Sequence, residues 1–331
     1  MLSPRIVFIA CASAGALVAS GWDRAKAFEY LETRQQQWAE WKPAQKFGGA
    51  CISCHTGLSY LMARRVISER QPRPVERDLV QGVKTRLLAS PPKTMFKEES
   101  PDAILSLLTL SLQRRSPADP LDSADRAALD RLWQHQNQEG EAKGVWKWFE
   151  NDLHPVESEH SAFYAATLVE LALSAYPKAS AEHLAPVRAY MKREASRQPL
   201  HNRLAWIAFG SGKGEKGAVL ANLWSAQAAD GGWTSASLGP WAKREEAPPD
   251  TGSNAYATAW ATFAASQAGA KCSDPHMESA LSWLAKHQDR ASGAWPSVSM
   301  NKVYPEGSMQ SKFMTDAATG FAAAALIACK Q

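Results

Sequence analysis

Residues 223–233 read Leu223-Trp224-Ser225-Ala226-Gln227-Ala228-Ala229-Asp230-Gly231-Gly232-Trp233, which is the clearest copy of a pattern that recurs along the chain. A helix-forming run leads into a turn with two glycines and ends on an aromatic residue. After a proline-rich loop, an alanine-rich segment follows from Asp250. The same order recurs twice, at 282–295 followed by 315–322 and at 132–146 followed by 159–166. Three copies in matched order predict a repeat built from helical pairs.

These segments resemble the QW repeats of the terpenoid-cyclase and protein-prenyltransferase superfamily. Gln227, Gly231 and Trp233 match the family spacing of glutamine, three residues, glycine, one residue and an aromatic. The copy from Gln288 to Trp295 is one residue longer, and the early copy is looser. The resemblance implies an all-α fold, an α/α toroid, in which the glutamine ties a helix end to the turn. It also implies that the tryptophans pack between neighbouring repeats rather than line a ligand site.

The remaining chain divides into helical pairs in the same way. Further helices are predicted over residues 24–41, 74–90, 103–112, 181–195 and 200–209. Charges lie on the outer helices, whereas the inner ones are rich in alanine and aromatic residues, as a closed double ring requires. We therefore predict about six helical hairpins that form a single domain over residues 28–331.

A second motif, Cys51-Ile52-Ser53-Cys54-His55, precedes the first inner helix. Two thiols three residues apart with a histidine directly after the second are the attachment signature of a c-type haem. Each thiol adds to a vinyl group, and the histidine becomes the proximal iron ligand. The sequence therefore predicts one covalent haem c held by Cys51, Cys54 and His55. Because each inner helix begins after the long loop of its repeat, we expect the haem at the mouth of the toroid, where these loops collect.

The N-terminal residues predict export. An apolar run follows Arg5 and continues to Val18, and Ala25-Lys26-Ala27 offers a small-x-small cleavage site. The run is too short to span a bilayer. We therefore predict a cleaved signal peptide over residues 1–27, a periplasmic protein and no membrane span.

The cysteine count agrees with an oxidising compartment. Of five cysteines, Cys11 leaves with the signal peptide and two are assigned to haem, so Cys272 and Cys329 remain. An even remainder favours a disulfide, and the toroid layout brings both residues to the same end of the last helical pair. The alternative is two buried cysteines that behave as small hydrophobic side chains.

The sequence alone leaves several candidates for the residue at the second axial position of the haem iron. Met95 is the first candidate, because it lies in the mouth loop of the adjacent repeat. Met309, Met314 and His160 are the alternatives, since they hold comparable mouth positions in other repeats. A methionine ligand would raise the reduction potential and suit electron transfer, whereas an open site would suit peroxide or oxygen chemistry.

The activities known in the similar superfamily are not expected here. No Asp-x-Asp-Asp acid motif occurs, and we interpret Asp122, Asp125 and Asp130 as the solvated start of an outer helix. A zinc prenyltransferase is excluded because Cys272, Asp274 and His276 crowd one loop at the wrong end of a repeat. Other side chains expected near the mouth, where they could orient a substrate, are Glu159, His160, Tyr164, Asp250, Asn254, Tyr256 and Asp316.

The formal net charge is +4 and no block of lysine or arginine stands out, which argues against nucleic acid as a partner.

Three functions remain open. The first function is electron transfer to a redox partner protein. The second is haem-dependent oxidation of an apolar, isoprenoid-like molecule in the toroid cavity. The third is a ligand-binding or sensor module without redox turnover.

Overall fold

The computed structural model describes residues 21–46, 49–67, 71–89, 99–114, 116–149, 151–180, 182–242 and 244–331. The helices are α1 (Arg24–Glu40), α2 (Thr56–Arg65), α3 (Pro74–Leu88), α4 (Glu99–Ser111), α5 (Ser123–Gln134), α6 (Ser161–Leu173), α7 (Pro177–Ser180), α8 (Leu184–Glu194), α9 (Leu200–Phe209), α10 (Lys216–Ser225), α11 (Ala255–Gln267), α12 (Pro275–Lys286) and α13 (Phe313–Ala328). Short 3₁₀ turns lie at Lys42–Ala44, Ala195–Arg197, Gly212–Glu215, Ala236–Leu238 and Gln310–Lys312. A small antiparallel hairpin pairs β1 (Gln45–Lys46) with β2 (Gly49–Ala50).

The longer helices form two concentric rings. Helices α2, α4, α6, α9, α11 and α13 make the inner ring, and α1, α3, α5, α8, α10 and α12 surround it. The inner helices are buried along nearly their whole length, whereas each outer helix buries one face. Helix α13 packs against both α11 and α2, which closes the ring. The predicted all-α toroid is confirmed. Within the described ranges, no helix is both long and apolar enough to cross a membrane.

The repeated glutamine and tryptophan hold each turn as the resemblance implies. Gln227 Nε2 donates to the carbonyl of Gly231 at 2.8 Å and to that of His276, at the start of α12, at 2.9 Å. Trp233 Nε1 donates to the carbonyl of Leu223, in the last turn of α10, at 3.0 Å. The glutamine therefore ties its own turn to the next outer helix. The tryptophan is fully buried and structural.

The early copy has the same contacts despite its looser spacing. Gln136 Nε2 donates to the carbonyl of Gly144 at 2.9 Å, and Trp146 Nε1 donates to that of Leu132 at 2.8 Å. Gly144 has φ +92°, and a Cβ placed on it would lie 2.7 Å from the carbonyl carbon of Pro186. Only glycine fits this turn, because the backbone is left-handed and the next outer helix approaches closely.

The last repeat joins the N-terminal residues and so completes the ring. Gln288 Nε2 donates to the carbonyl of Asp23 at 2.9 Å, and the N–H of Asp23 donates back to Gln288 Oε1 at 2.6 Å. Trp22 Nε1 donates to the carbonyl of Gln331 at 3.2 Å. Ala27 lies inside α1 and is fully buried. A cleavage after Ala27 would remove these contacts and the first turn of α1.

Helix α4 begins four residues before the start predicted at 103, because the first turn accepts Pro101 and buries Asp102. Asp102 lies 3.1 Å from Arg131 Nη1 and 3.6 Å from Arg86 Nη2, so its charge is balanced by two guanidinium groups. The carboxylate is therefore part of the packing between α3, α4 and α5 rather than an exposed cap.

The acidic start of α5 is also less solvated than predicted. Asp122 caps the helix, since its Oδ1 accepts the N–H of Asp125 at 2.8 Å. Asp125 itself is buried. It accepts hydrogen bonds from Arg114 Nη1 at 2.9 Å and from the hydroxyl of Tyr176 at 2.8 Å. The interpretation as a solvated helix start was wrong for Asp125, because its partners Arg114 and Tyr176 follow α4 and α6 and cover its carboxylate.

A disulfide joins Cys272, just before α12, to Cys329, directly after α13, with 5.6 Å between the two Cα atoms. Both residues lie at one end of the last helical pair. The bond therefore ties the chain terminus to the outer ring.

We expect the double substitution Cys272→Ser and Cys329→Ser to lower the free energy of unfolding by about 2–4 kcal/mol. The reason is that the bond joins residues 57 positions apart and restricts the unfolded chain. Urea denaturation of oxidised protein measures the difference. Wild-type protein treated with a reductant serves as the control and should approach the variant. Equal midpoints for the oxidised wild type and the variant would contradict a stabilising bond.

Candidate functional site

The Cys51–His55 loop connects β2 to α2, and its backbone is tightly held. The N–H of Cys51 donates to the carbonyl of Ala44 at 2.9 Å, and Trp38 Nε1 donates to the carbonyl of Cys51 at 2.6 Å. The hydroxyl of Ser53 accepts from the N–H groups of Thr56 at 3.0 Å and His55 at 3.2 Å. Ser53 thereby satisfies donors at the start of α2 that the helix itself leaves without partners.

The start of α2 is clamped against α13. Thr56 Oγ1 donates to Asp316 Oδ2 at 2.7 Å, and Ser59 Oγ donates to the carbonyl of Asp316 at 3.1 Å. A Cβ added to Gly320 would lie 2.5 Å from that of Ser59, so the two helices touch along their backbones. The motif is therefore built where the last inner helix meets the first.

Asp316 is a structural centre and not a substrate-facing group, which corrects the sequence prediction. The residue has no solvent exposure. Its carboxylate accepts hydrogen bonds from Arg34 Nε and from the hydroxyl of Tyr30, both at 2.8 Å, besides the one from Thr56. Burial of a carboxylate is tolerated when such partners satisfy it. These contacts place Asp316 at the junction of α1, α2 and α13.

The side chains of Cys54 and His55 meet Glu157. Cys54 Sγ donates to Glu157 Oε1 at 3.4 Å, and His55 Nε2 lies 3.6 Å from the same oxygen. The ring of Phe313 stacks on that of His55, with 5.0 Å between centroids. Cys51 and Cys54 are both half-buried and outside the disulfide. The ligand atoms of Cys54, His55 and Glu157 all lie within 4.8 Å of one another, so these three residues could also hold a small metal ion.

The ionisation of these groups is coupled. Burial raises the pKa of the Cys54 thiol. Burial alone would lower the pKa of His55, but the neighbouring Cys54 and Glu157 outweigh it and raise that pKa well above its usual range. Burial alone would raise the pKa of Glu157, and here the contact with His55 prevails and lowers it. The geometry therefore favours a negative Glu157 beside the histidine.

The loop around Glu157, residues 151–158, was missed by the sequence analysis. The backbones of Leu153 and Glu157 pair in both directions at 2.8 and 2.9 Å, and Asn151 Nδ2 donates to Glu157 Oε2 at 2.8 Å. Asn301 holds His154 by both backbone groups, each at 2.8 Å. Nothing in the sequence distinguishes Glu157 from the other acidic residues of its long loop, because its contact with His55 spans about a hundred residues.

Two cavities open at this mouth. The first has a volume of about 260 Å³ and is lined by Trp41, His55, Leu153, His154, Val156, Glu157, Ser299, Asn301, Tyr304, Gln310, Phe313 and Met314. The second has a volume of about 980 Å³, and its walls include Pro240, Trp241, Arg244, Asp250, Asn254 and Met300. His154 and Ser299 line both cavities. His154 therefore lies between the smaller cavity, which His55 also lines, and the larger cavity.

His154 is the least satisfied polar side chain of the mouth. It is 4% exposed, and neither ring nitrogen has a hydrogen-bond partner among the described residues. Its ring packs against Trp241, with 5.3 Å between centroids. Burial lowers the pKa of this imidazole, and the positive charge of Arg244 lowers it further.

The residues predicted as distal iron ligands have different surroundings. Met95 lies outside the described residues. Met309 Sδ accepts a hydrogen bond from Arg34 Nη2 at 3.0 Å. His160 lies 3.5 Å from the exposed Glu159 and lines neither cavity, whereas Met314 is buried and lines the smaller one.

Two other predicted mouth residues stabilise the loop before α11. Asn254 caps the helix by accepting the N–H of Ala257 at 3.0 Å. Asp250 Oδ2 accepts the N–H of Ala236 at 2.7 Å, and Asp250 Oδ1 accepts from Asn254 Nδ2 at 3.2 Å. Both residues also line the larger cavity, so they remain available to a bound molecule.

Aromatic side chains fill the centre of the ring. Tyr164 on α6 contacts Trp260 on α11 at 6.3 Å between centroids, a contact that crosses the ring because α9 lies between these helices. Trp260 also contacts His201 at 4.7 Å and Phe321 at 4.9 Å. Tyr164 and Tyr256, which were predicted near the mouth, are buried among these aromatic residues. The aromatic residues of the inner helices pack together, and the two mouth cavities lie beside them.

His201 gives this core a pH dependence. Burial lowers its pKa to about 4, and its Nε2 shares a hydrogen bond of 2.9 Å with the hydroxyl of Tyr256. The unfolded chain therefore binds the proton first as the pH falls below about 6.5. We expect the free energy of unfolding to drop by about 3 kcal/mol between pH 6.5 and pH 4 from this group alone. Urea denaturation across this range measures it, with His201→Gln as the comparison. An equally steep pH dependence in that variant would contradict the assignment.

Cys272, Asp274 and His276 do not form a zinc site. Cys272 is in the disulfide. Asp274 caps α12 by accepting the N–H of His276 at 2.9 Å, and the ring Nδ1 of His276 contacts Gln227 Oε1 at 2.6 Å. All three residues therefore have structural roles.

Comparison with known proteins supports the fold and no more. No protein-family profile and no curated protein sequence matches this chain. Among solved structures, the fold is similar to that of a variant of the type II terpene cyclase MstE from Scytonema, in complex with the product merosterolic acid A. The identity is 12%, the TM-score is 0.50, and the match covers 92% of this chain and 99% of that chain. The chain therefore has a terpene cyclase-like α/α toroid.

Proposed function

We propose that this protein is a periplasmic c-type haem protein in which a terpene cyclase-like toroid supports electron transfer. Cys51 and Cys54 would carry the haem, and His55 would be its proximal ligand. The observation that carries this proposal is the arrangement of two thiols outside the disulfide and a histidine in the loop directly before α2, with the histidine ring lining a mouth cavity.

The residue types around His55 fit such a group, whereas neither motif cysteine lines the 260 Å³ cavity. The cavity at His55 has apolar walls from Leu153, Val156 and Phe313. Neither motif cysteine is in a disulfide, although the same chain oxidises its other pair. Glu157 Oε1 lies 3.6 Å from His55 Nε2, so this carboxylate would lose its contact if that nitrogen held the haem iron.

The roles of the surrounding residues follow from their positions. A bound haem would supply a one-electron iron couple. Ser53 and Asp316 keep the start of α2 in place, and Phe313 limits rotation of the His55 ring. Apolar walls exclude water and so influence the reduction potential. A redox partner protein would approach the mouth. We also propose that the export signal ends before Trp22, because Trp22 and Asp23 contact the last repeat and the C-terminal residue.

The test is expression with and without a cytochrome c maturation system, followed by the pyridine haemochrome spectrum and metal analysis. A c-type haemochrome with one iron per chain supports the proposal. Protein that carries no haem but one zinc or other divalent ion would overturn it. That result would favour a small-ion site at Cys54, His55 and Glu157 instead.

A second candidate, haem-dependent oxidation of an apolar molecule, is favoured by the 980 Å³ cavity beside His154. Pro240, Trp241 and Met300 give it apolar walls, and Asp250 and Asn254 give it polar ones. Rapid carbon monoxide binding to the reduced protein and a spectral change on adding an isoprenoid alcohol would support this candidate over electron transfer.

A further inference from the structure

We infer that His154 is the second axial ligand of the iron, opposite His55, so that the haem has two histidine ligands. This inference rests on the proposed function. His154 lines the same 260 Å³ cavity as His55. It is 4% exposed, and both its nitrogens lack partners among the described residues. A buried polar group without a partner costs about 1–3 kcal/mol, so an imidazole in this condition indicates a ligand that satisfies it.

The backbone of the loop that carries His154 is held at several points. Asn301 bonds both backbone groups of His154, and the backbones of Leu153 and Glu157 pair with each other. Within this loop, the imidazole of His154 and the hydroxyl of Ser158 are buried without a hydrogen-bond partner among the described residues, and His154 is the one of the two that lines the cavity with His55. The loop is also within reach of the proximal ligand, because Glu157, three residues along the chain, contacts His55 directly. His154 is thus held by a rigid loop against the cavity where the iron would bind.

The described alternatives are weaker for physical reasons. Met309 already accepts a hydrogen bond from Arg34, and His160 lines neither mouth cavity. Met314 does line the smaller cavity, but it directly follows Phe313, whose ring stacks on His55. It therefore reaches the cavity from the helix that supports the proximal ligand. His154 comes from a different element, as a ligand to the opposite haem face must.

Two histidine ligands would close the iron to other molecules. The haem would then be six-coordinate and low-spin, with a lower reduction potential than a histidine and methionine pair gives. Such a centre suits electron transfer and not oxygen chemistry. Two histidine ligands would therefore favour electron transfer over haem-dependent oxidation of an apolar molecule.

The experiment compares His154→Ala with His160→Ala in the matured full-length protein. Optical and electron paramagnetic resonance spectra should be low-spin in the wild type and in His160→Ala, without carbon monoxide binding. His154→Ala should become high-spin and bind carbon monoxide, and added imidazole should restore the low-spin spectrum. His154→Met tests the same position with a ligand retained, and it should show the red methionine-to-iron band and a raised potential.

The haem content of the variants and the wild type distinguishes a wrong ligand assignment from a wrong haem proposal. If His154→Ala and His154→Met both carry covalent haem with a wild-type spectrum, the inference is wrong and the haem proposal survives. A wild type that is high-spin and binds carbon monoxide would also overturn it, as would the loss of the low-spin state in Met95→Ala or Met314→Ala with His154 intact. If the wild type carries no covalent haem, the proposed function fails and this inference fails with it.

Discussion

Replacement of Cys51 and Cys54 together by serine will abolish covalent haem attachment, whereas replacement of Cys272 and Cys329 together will leave it intact. The first pair supplies the two thiols of the motif, and the second pair is joined in a disulfide remote from it. Haem staining after denaturing electrophoresis and the intact mass of the matured protein measure the difference. The mass of the first variant should lack the whole haem.

Single substitutions test the contribution of each motif residue separately. Cys51→Ser and Cys54→Ser should each retain at most one thioether bond, so haem content should fall strongly in both. His55→Ala should affect the spectrum more than the attachment, because the thiols remain in place. If the Cys51→Ser and Cys54→Ser double variant still carried covalent haem, the interpretation of the motif would be wrong. Equal loss of haem in the Cys272 and Cys329 variant would show that attachment depends on folding in general.

Asp316→Ala will lower the free energy of unfolding by about 3–5 kcal/mol, which is the usual effect of breaking a buried ion pair from one side. The carboxylate is fully buried, and its removal leaves Arg34, Tyr30 and Thr56 without their partner. Urea denaturation measures the loss. Asp316→Asn should cost less, because an amide keeps the shape and part of the hydrogen bonding.

A partly exposed ion pair of the same first helix provides the matched control. Arg73 bonds Glu32 on α1 at 2.8 and 2.9 Å, but the arginine side chain is 54% exposed. Arg73→Ala should therefore cost at most about 1 kcal/mol. The double variant Arg34→Met and Asp316→Leu should recover part of the stability, since it removes both buried charges. A cost for Asp316→Ala as small as that for Arg73→Ala would contradict the structural role.

Much of the ring could be predicted because its signals are local. The glutamine, glycine and tryptophan of a turn lie within a few residues of each other, and their hydrogen bonds stay within that turn and the next helix. The Cys51–His55 motif is local as well, and haem attachment at it stays a prediction from its spacing. Even the early repeat, with its looser spacing, forms the Gln136 and Trp146 contacts.

The rest of the site depends on partners far apart in the sequence. Asp316 has the position of an ordinary mouth residue in its repeat, and only the folded ring places Arg34 and Thr56 around it. Glu157 and His154 lie in an irregular loop without periodicity, so no pattern indicates that they reach His55 or the cavity. The burial of Asp125 was missed for the same reason.

The junction of α2 with α13 has a consequence for the order in which the protein folds. The hydrogen bonds of Thr56, Ser59 and Arg34 to Asp316 join residues 260, 257 and 282 positions apart. Contacts between such distant residues require a large loop to close, and they form slowly compared with those inside a helical pair. Cys51 and Cys54 are synthesised early, whereas Phe313 and Met314, which line the cavity at His55, belong to the last helix. Haem would therefore meet an accessible, unfinished pocket, and closure of the ring would seal it afterwards.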